Sequence, residues 1–414
     1  MPLTPVCQRT PWPAVVRTPA ATYPVAVAVR IEQLDVYRTA IPMRHFEHAA
    51  AGRDVAEAVV VRAVRSDGRV GWGETLPRDY VTGETLETVP RDIEEVLWPA
   101  VRDADVSDLD RLAVIPDAAS DGRCINAACC AVELAVVSPL LGPGLGGPAR
   151  RGGIAARVSG VLGSADPART ARRLRLMRWG GLRDFKLKLG FGDDVDAENL
   201  RLVARRIGRA VQAGRCTLRV DVNGAWTADE TPDRVAALAA QGVCVVEQPV
   251  FAPAAALVDL ARRCDLPLMA DESLITSDDS KTLVAEPNRV WWNIRISKNG
   301  GFIRSLATAC KARQNGVPYT LGCMVGESGI LSAAQRRILQ GIFGAQRGGL
   351  HPGYAPRFVE GNYGRFLLAD DLTRPSPRFG YGGRLKRLKR PGLGVFVVAR
   401  KLDRYGRLVK TLHA

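Results

Sequence analysis

Residues 217–249 read TLRVDVNGAWTADETPDRVAALAAQGVCVVEQP, and this stretch decides the fold. Thr217–Val222 is a short apolar strand run, with Asp221 and Asn223 at its C-terminal end. Pro232–Ala240 carries a helical pattern, and Val243–Glu247 is a second strand run that leads into Gln248 and Pro249. Strand, helix and strand in one short unit is the βαβ signature of a parallel sheet.

The same alternation extends in both directions. Further strand runs are Ala156–Leu162, Asp184–Leu189, Pro267–Ala270, Arg289–Ile296 and Pro318–Leu321, with helical patterns such as Phe302–Gln314 between them. This many units predicts a closed (β/α) barrel. An open doubly wound sheet is the competing arrangement, but no G-x-G-x-x-G turn follows the first strand. Upstream the pattern changes. Val25–Ala40 alternates like a strand, Met43–Gly52 reads as a polar loop, and Asp54–Arg65 and Val70–Glu74 are two more strands around a Ser66-Asp67-Gly68 turn. Helical stretches over 84–103 and 123–141 follow, which together predict a small α+β domain. Gly142-Pro143-Gly144 and Gly146-Gly147-Pro148 read as a linker.

The 414 residues include 58 basic and 43 acidic side chains, a net charge of +15. Residues 374–410 hold twelve of the basic residues and one acid, and residues 1–30 add three arginines, so the body carries only +1. A nucleic-acid protein spreads basic residues over its folded surface with aromatics among them. A solvated basic C-terminal segment is the preferred reading, and a nucleic-acid or membrane-surface binding protein is the distant alternative. No apolar run reaches the ~18 residues of a membrane span. The nine cysteines include no C-x-x-C pair, which predicts free, mostly buried thiols and a cytoplasmic location. Only nine residues are lysine against 49 arginines. Lysine can lose its proton and arginine effectively does not, so each lysine is informative.

Residues at the C-terminal ends of barrel strands point into the active site. Those ends hold Lys186 and Lys188, then Asp221 and Asn223, Glu247 and Gln248, Asp271 and Glu272, and finally Lys298. From Lys188 onward the intervals are 33, 26, 24 and 27 residues, about one βα unit each. Three carboxylates from adjacent strands, with no balancing arginine, form a hard-cation site that favours Mg²⁺. Lys186 and Lys188 face the same side of their strand. Two neighbouring ammonium groups are expected to depress each other's pKa and free Lys188 to act as a base. Lys298 lies across the barrel. A base on each face of a metal-held carboxylate suits proton abstraction from the α carbon.

KLK, DVN, EQP, DES and SKNGG in this order resemble the enolase superfamily, specifically its muconate-lactonizing (muconate cycloisomerase) subgroup. GCMVGESGILSAA and the late GLGVFV are similar to that subgroup's last strands and closing segment. The resemblance covers roughly residues 28–400. It implies an α/β fold, a modified (β/α)7β TIM-type barrel, with an α+β capping domain formed by the N-terminal region and C-terminal tail. Residues 1–25 are then a disordered extension, 26–145 the capping domain, 150–370 the barrel, and 371–414 a segment returning to the cap.

The resemblance also implies that Asp221, Glu247 and Asp271 bind Mg²⁺, with Mn²⁺ as the alternative ion. Lys188 and Lys298 become the acid/base pair, Lys186 tunes Lys188, and Asn223, Glu272 and Glu327 lie just behind the ligands. Two cap loops, Met43–Ala49 and Pro77–Glu84, offer Arg44, His45, Arg78 and Tyr80 as substrate contacts. The expected partner is a small-molecule carboxylate, and a homo-oligomer is expected. No His occurs between His48 and His351, which disfavours the mandelate-racemase branch. Gly348–Leu368 lacks the Asp-x-Asp of dipeptide epimerases. The leading activity is a cycloisomerase or racemase/epimerase, and the alternative is β-elimination of the o-succinylbenzoate synthase type.

Overall fold

The computed structural model describes residues 28–48, 51–109, 115, 118–142, 154–344 and 355–414. The extension expected over residues 1–25 and the linker from Pro143 to Pro148 lie outside them. An antiparallel hairpin opens the chain, β1 (Ile31–His48) and β2 (Ala51–Arg65), and β3 (Val70–Thr75) pairs with β2. The segment expected as a polar loop from Met43 is strand up to His48. After an irregularity between Pro42 and Phe46, the ladder resumes as Phe46↔Arg53 and His48↔Ala51. Backbone pairing uses no side chain, so polar residues extend the hairpin as readily as apolar ones.

Short helices α1 (Asp79–Thr82), α2 (Thr88–Asp92) and α3 (Trp98–Val101) lead to α4 (Asn126–Val137). Every residue of α4 is buried. Its small side chains let it lie directly on β3, where a Cβ on Gly71 or Gly73 would overlap the carbonyls of Ala135 and Ala131.

After β4 (Ile154–Arg157) the barrel begins. Its strands are β5 (Gly160–Leu162), β6 (Asp184–Lys188), β7 (Thr217–Asp221), β8 (Val246–Glu247), β9 (Leu268–Ala270), β10 (Val290–Ile294), β11 (Tyr319–Leu321) and β12 (Phe358–Val359). All neighbours pair parallel, in sequence order. Seven helices fill the gaps: α5 (Pro167–Trp179), α6 (Asp193–Gln212), α7 (Thr231–Ala240), α8 (Ala254–Arg262), α9 (Ser277–Leu283), α10 (Phe302–Gln314) and α11 (Gly329–Gly344). A parallel bridge Val158↔Val359, with the Ser159 N–H donating to Val359 at 2.8 Å, brings the last strand back beside the first. The expected (β/α)7β barrel is what the chain forms.

The C-terminal segment includes α12 (Gly364–Leu367), β13 (Thr373–Arg374), β14 (Arg384–Leu385), β15 (Phe396–Val397), α13 (Ala399–Tyr405) and β16 (Gly406–His413). The strand that enters the cap sheet is β16, against β1, in the order β16-β1-β2-β3. GLGVFVV does not enter it, because Phe396–Val397 pairs with β13 instead. Among the described residues no helix is long and apolar enough to cross a membrane, and the eight described cysteines are free.

Cap and barrel are joined by buried polar contacts. Glu74 on β3 accepts from the Ser328 N–H at 2.9 Å, the Ser328 hydroxyl at 2.8 Å and the Leu331 N–H at 3.1 Å, so a cap carboxylate satisfies the start of α11. Glu74→Ala should lower the unfolding free energy by about 1–3 kcal/mol in urea, because buried donors lose their acceptor. Glu74→Gln should lose less. Equal losses in the two variants would show that these hydrogen bonds do not join the layers.

Candidate active site

Register fixes the first level of the site. Lys188 is the partner of Asp221, and Asp221 of Glu247, across β6, β7 and β8. Adjacent strands lie about 4.8 Å apart, so the three side chains are neighbours at one height. Asp271 directly follows β9, and Lys298 follows β10 after a short turn. All five are buried. The Lys188 ammonium donates to Asp221 at 3.0 Å and to Asn223 at 2.7 Å. Asn223 holds this position with a positive φ of 49°. Gly163 leaves room for the lysine, since a Cβ there would lie 2.7 Å from that of Lys188.

Below this level is a second cluster. The Lys186 ammonium is 3.3 Å from Asp221, 3.1 Å from Glu247 and 2.8 Å from Glu360. Glu360 follows β12 and also pairs with the fully buried Arg219 at 2.9 Å. The Arg219 guanidinium lies over the Phe358 ring, 4.1 Å from its centre. The expectation that Lys186 and Lys188 lower each other's pKa is corrected here for Lys186. Burial opposes its charge, but Glu247, Glu360 and Asp221 outweigh burial and hold its pKa above the usual lysine value. Glu360 in turn is held down at about 2, as Lys186 and Arg219 outweigh its burial.

A second correction concerns arginine. The carboxylates do have a balancing guanidinium: Arg295, one residue beyond β10, hydrogen-bonds Asp271 and lies 3.5 Å from Glu247. Asn293, two residues earlier and on the same side of the strand, donates to Glu247 at 2.8 Å. Among the described residues no three His, Cys, Asp or Glu side chains are grouped as a metal site. The donors nevertheless fit a hard divalent ion. Asp221, Glu247 and Asp271 offer only oxygen donors on adjacent strand ends, the buried Glu272 Oε2 has no hydrogen-bond partner, and Asp271 Oδ1 has only the Lys298 ammonium at 3.3 Å. Burial, with the charge of Asp221 next, pushes the Glu272 carboxyl up to about 7.

Lys298 stands opposite Lys188. β6 and β10 are four strands apart in an eight-stranded ring. The Lys298 ammonium donates to the carbonyls of Asp271 (2.6 Å), Leu274 (2.9 Å) and Asn293 (3.0 Å). Burial, reinforced by Arg295, lowers its pKa to about 7. The cap supports this turn from above. Asn126 at the start of α4 donates to the Lys298 and Ile275 carbonyls, both at 2.9 Å, and Ser297 Oγ accepts from the Leu76 N–H at 3.0 Å.

The cap residues expected at the substrate are arranged differently from one another. Arg78 is buried and donates to the Pro77 carbonyl at 2.7 Å and the Val325 carbonyl at 3.3 Å, which links the cap loop to the loop after β11. His45 is exposed and its Nδ1 is 2.8 Å from Asp54. Arg44 is exposed, and Tyr80 is half-buried against the core. Glu327 is buried and accepts from the Met324 N–H at 2.7 Å, and burial pushes its carboxyl up to about 8. Gly326, at φ 99°, faces Ala56 of β2, where a Cβ would come within 2.8 Å.

Residues 168–401 match the family model described as enolase C-terminal domain-like. The chain belongs to the enolase superfamily, in its mandelate racemase and muconate lactonizing enzyme family. It is 27% identical over 314 residues to the N-succinyl-L-Arg/Lys racemase of Bacillus cereus, covering 74% of this chain and 83% of that protein. Over 321 residues it is 28% identical to the L-Ala-D/L-Glu epimerase of Bacillus subtilis, covering 74% of this chain and 84% of that one. The structure of muconate lactonizing enzyme from Pseudomonas fluorescens, complexed with muconolactone, matches with a TM-score of 0.76 and 26% identity, over 92% of this chain and 100% of that one.

The cluster below the superfamily ring makes a stability prediction. Glu360→Leu strips the buried Arg219 of its counter-ion and should cost about 3–5 kcal/mol in urea unfolding. Combining it with Arg219→Met should recover part of that loss. A double variant less stable than Glu360→Leu alone would show that the pair is not coupled.

Proposed function

We propose that this protein is an isomerase that removes the proton α to a substrate carboxylate and returns it, racemising or epimerising a small carboxylate such as an N-acylamino acid. The observation that carries this reading is the placement of Lys188 and Lys298 on opposite sides of one buried carboxylate ring. The names of the two curated relatives support it from a separate direction.

One lysine takes the proton from one face of the substrate and the other delivers a proton to the opposite face, inverting the centre through an enediolate. Both ammonium groups are buried, so exchange with bulk water during the step is restricted. The lowered pKa of Lys298, about 7, suits a group that must give and take a proton near neutrality. Lys186, held by three carboxylates, positions Asp221 and Glu247. Asp221, Glu247 and Asp271 would hold Mg²⁺ or Mn²⁺, which when bound supplies positive charge against the developing enediolate. Asn223 orients Lys188, the Glu272 carboxyl stands next to Asp271 in the chain, and Glu327 lies within electrostatic reach of Arg295. Arg44, His45, Arg78 and Tyr80 are the cap residues assigned to substrate choice, with Arg78 acting through the loop it braces.

Cycloisomerisation is the second reading. It is favoured by the match to muconate lactonizing enzyme, and it uses the same lysines and ligands. β-Elimination is distinguished from both by release of a leaving group such as water.

In D₂O with Mg²⁺, NMR of a panel of N-acylamino acids, dipeptides and muconates should show loss of an α-proton signal for at least one substrate. Lys188→Ala and Lys298→Ala should each slow that exchange by about 10²–10⁴-fold. Chelation by EDTA should abolish it, and Mg²⁺ or Mn²⁺ should restore it. Absence of exchange across the panel in the metal-loaded wild type would reject the proposal.

A further inference from the structure

The end of the barrel opposite the lysines has its own cluster of charge. Arg183 immediately precedes β6 and Arg215 lies just before β7. These are the N-terminal ends of the strands that present Lys188 and Asp221 at their C-terminal ends, about 13 Å away along a five-residue strand. Arg178 lies in the last turn of α5, Arg157 ends β4, and Arg384 begins β14. Arg157, Arg178, Arg183 and Arg384 line one cleft of about 210 Å³ together with Gly181, Tyr381 and Gly382. An adjoining hollow of about 280 Å³ shares Arg178 and Arg183 and adds Arg215.

Three observations separate this cluster from an ordinary solvated surface. First, among the described residues none of the five arginines forms an ion pair with a carboxylate. The nearby Asp184 accepts instead from the Thr217 hydroxyl at 2.7 Å. In the C-terminal segment, two basic residues form ion pairs, Lys401 with Asp370 at 2.6 Å and Lys410 with Glu94 at 2.7 Å. Second, Arg157 and Arg384 are direct cross-strand partners in the β4–β14 pair, and like charges in that position repel. Third, the backbone that presents them is fixed. Val158 N–H donates to the Gly383 carbonyl and Gly382 N–H to the Gly180 carbonyl, both at 2.8 Å. The Tyr381 ring lies on Gly181, where a Cβ would collide with it. Arg178 is pinned by the Leu182 carbonyl at 2.9 Å and the Cys216 sulfur at 3.3 Å.

We propose that this cleft binds a triphosphate group, carried by a nucleotide or by inorganic tripolyphosphate. Four guanidinium groups facing one small space match the charge of such an anion, and their planar forks match phosphate oxygens bidentately. The anion relieves the repulsion between Arg157 and Arg384. Tyr381, 72% exposed at the cleft, offers a ring face to a base.

The test is calorimetric titration of the full chain at low salt with EDTA present, so that no metal site contributes. Tripolyphosphate should bind saturably, and Arg157→Ala/Arg384→Ala should weaken it at least tenfold. Sulfate at equal ionic strength should give no saturable heat. Tighter binding of ATP than of tripolyphosphate, lost in Tyr381→Ala, would identify a nucleotide, and equal binding would identify the inorganic group. As a second readout, tripolyphosphate should raise the melting temperature of the wild type and not of the double variant. Saturable binding that is undiminished in the double variant, or no binding beyond that of sulfate, would overturn the proposal.

Discussion

One buried ammonium holds the centre of this protein together. Lys186 lies among Asp221, Glu247 and Glu360, carboxylates from three different strands, and none of these four groups has water to turn to. An ion taken from water without a partner costs several kcal/mol, so each must find its counter-charge inside the barrel. That requirement fixes the height of β6 against β7 and β8 and draws β12 in beside them. The ring above it, Lys188 with Asp221 and Asn223, inherits its position from the same register. The acid/base chemistry proposed for the site thus rests on a cluster that takes no direct part in it.

The cap contributes through backbone geometry. Lys298 follows β10 on a turn that no strand holds, and the turn is braced by Asn126, Ser297 and, at Ile303, by Glu133 from α4. Helix α4 reaches that turn because β3 carries glycine where the helix presses closest. Glu74 completes the link on the neighbouring helix α11. Loss of cap packing should therefore disturb Lys298 before it disturbs Lys188, whose supports belong to the barrel alone.

Much of this was legible in the sequence, for reasons that also explain the gaps. The strand-end acids and lysines stood out because each interrupts or follows a short apolar run at an interval of one βα unit. The eighth strand, Phe358–Val359, is two residues long, too short for any periodicity, and Glu360 was missed with it. Arg295 was missed for another reason. In a chain with 49 arginines, one more at the end of a strand run carries no compositional signal, and only the direction of β10 turns it toward Asp271. The polar cap hairpin was misread because pairing there is made by backbone alone. The tail strand that joins the cap sheet is β16, whereas the more apolar GLGVFVV pairs with β13. Its exposed Phe396 shows that apolar character did not put it in a sheet core.

The rule that organises the centre also makes the base of the barrel informative. Inside, Arg219 meets Glu360 and Arg295 meets Asp271, while the buried Arg78 and Arg337 are satisfied by backbone carbonyls, because a buried guanidinium must find its acceptors within the protein. At the base, water removes that obligation, and arginines there are free to stand alone. Water does not, however, explain why two of them stand directly opposite each other on a paired backbone while two more share their cleft. Sequence bias supplies arginines anywhere on the surface, but it does not concentrate them where strand pairing holds them together. Two like charges held opposite each other by strand pairing, with two more in the same cleft, are the charge that the proposed triphosphate would neutralise.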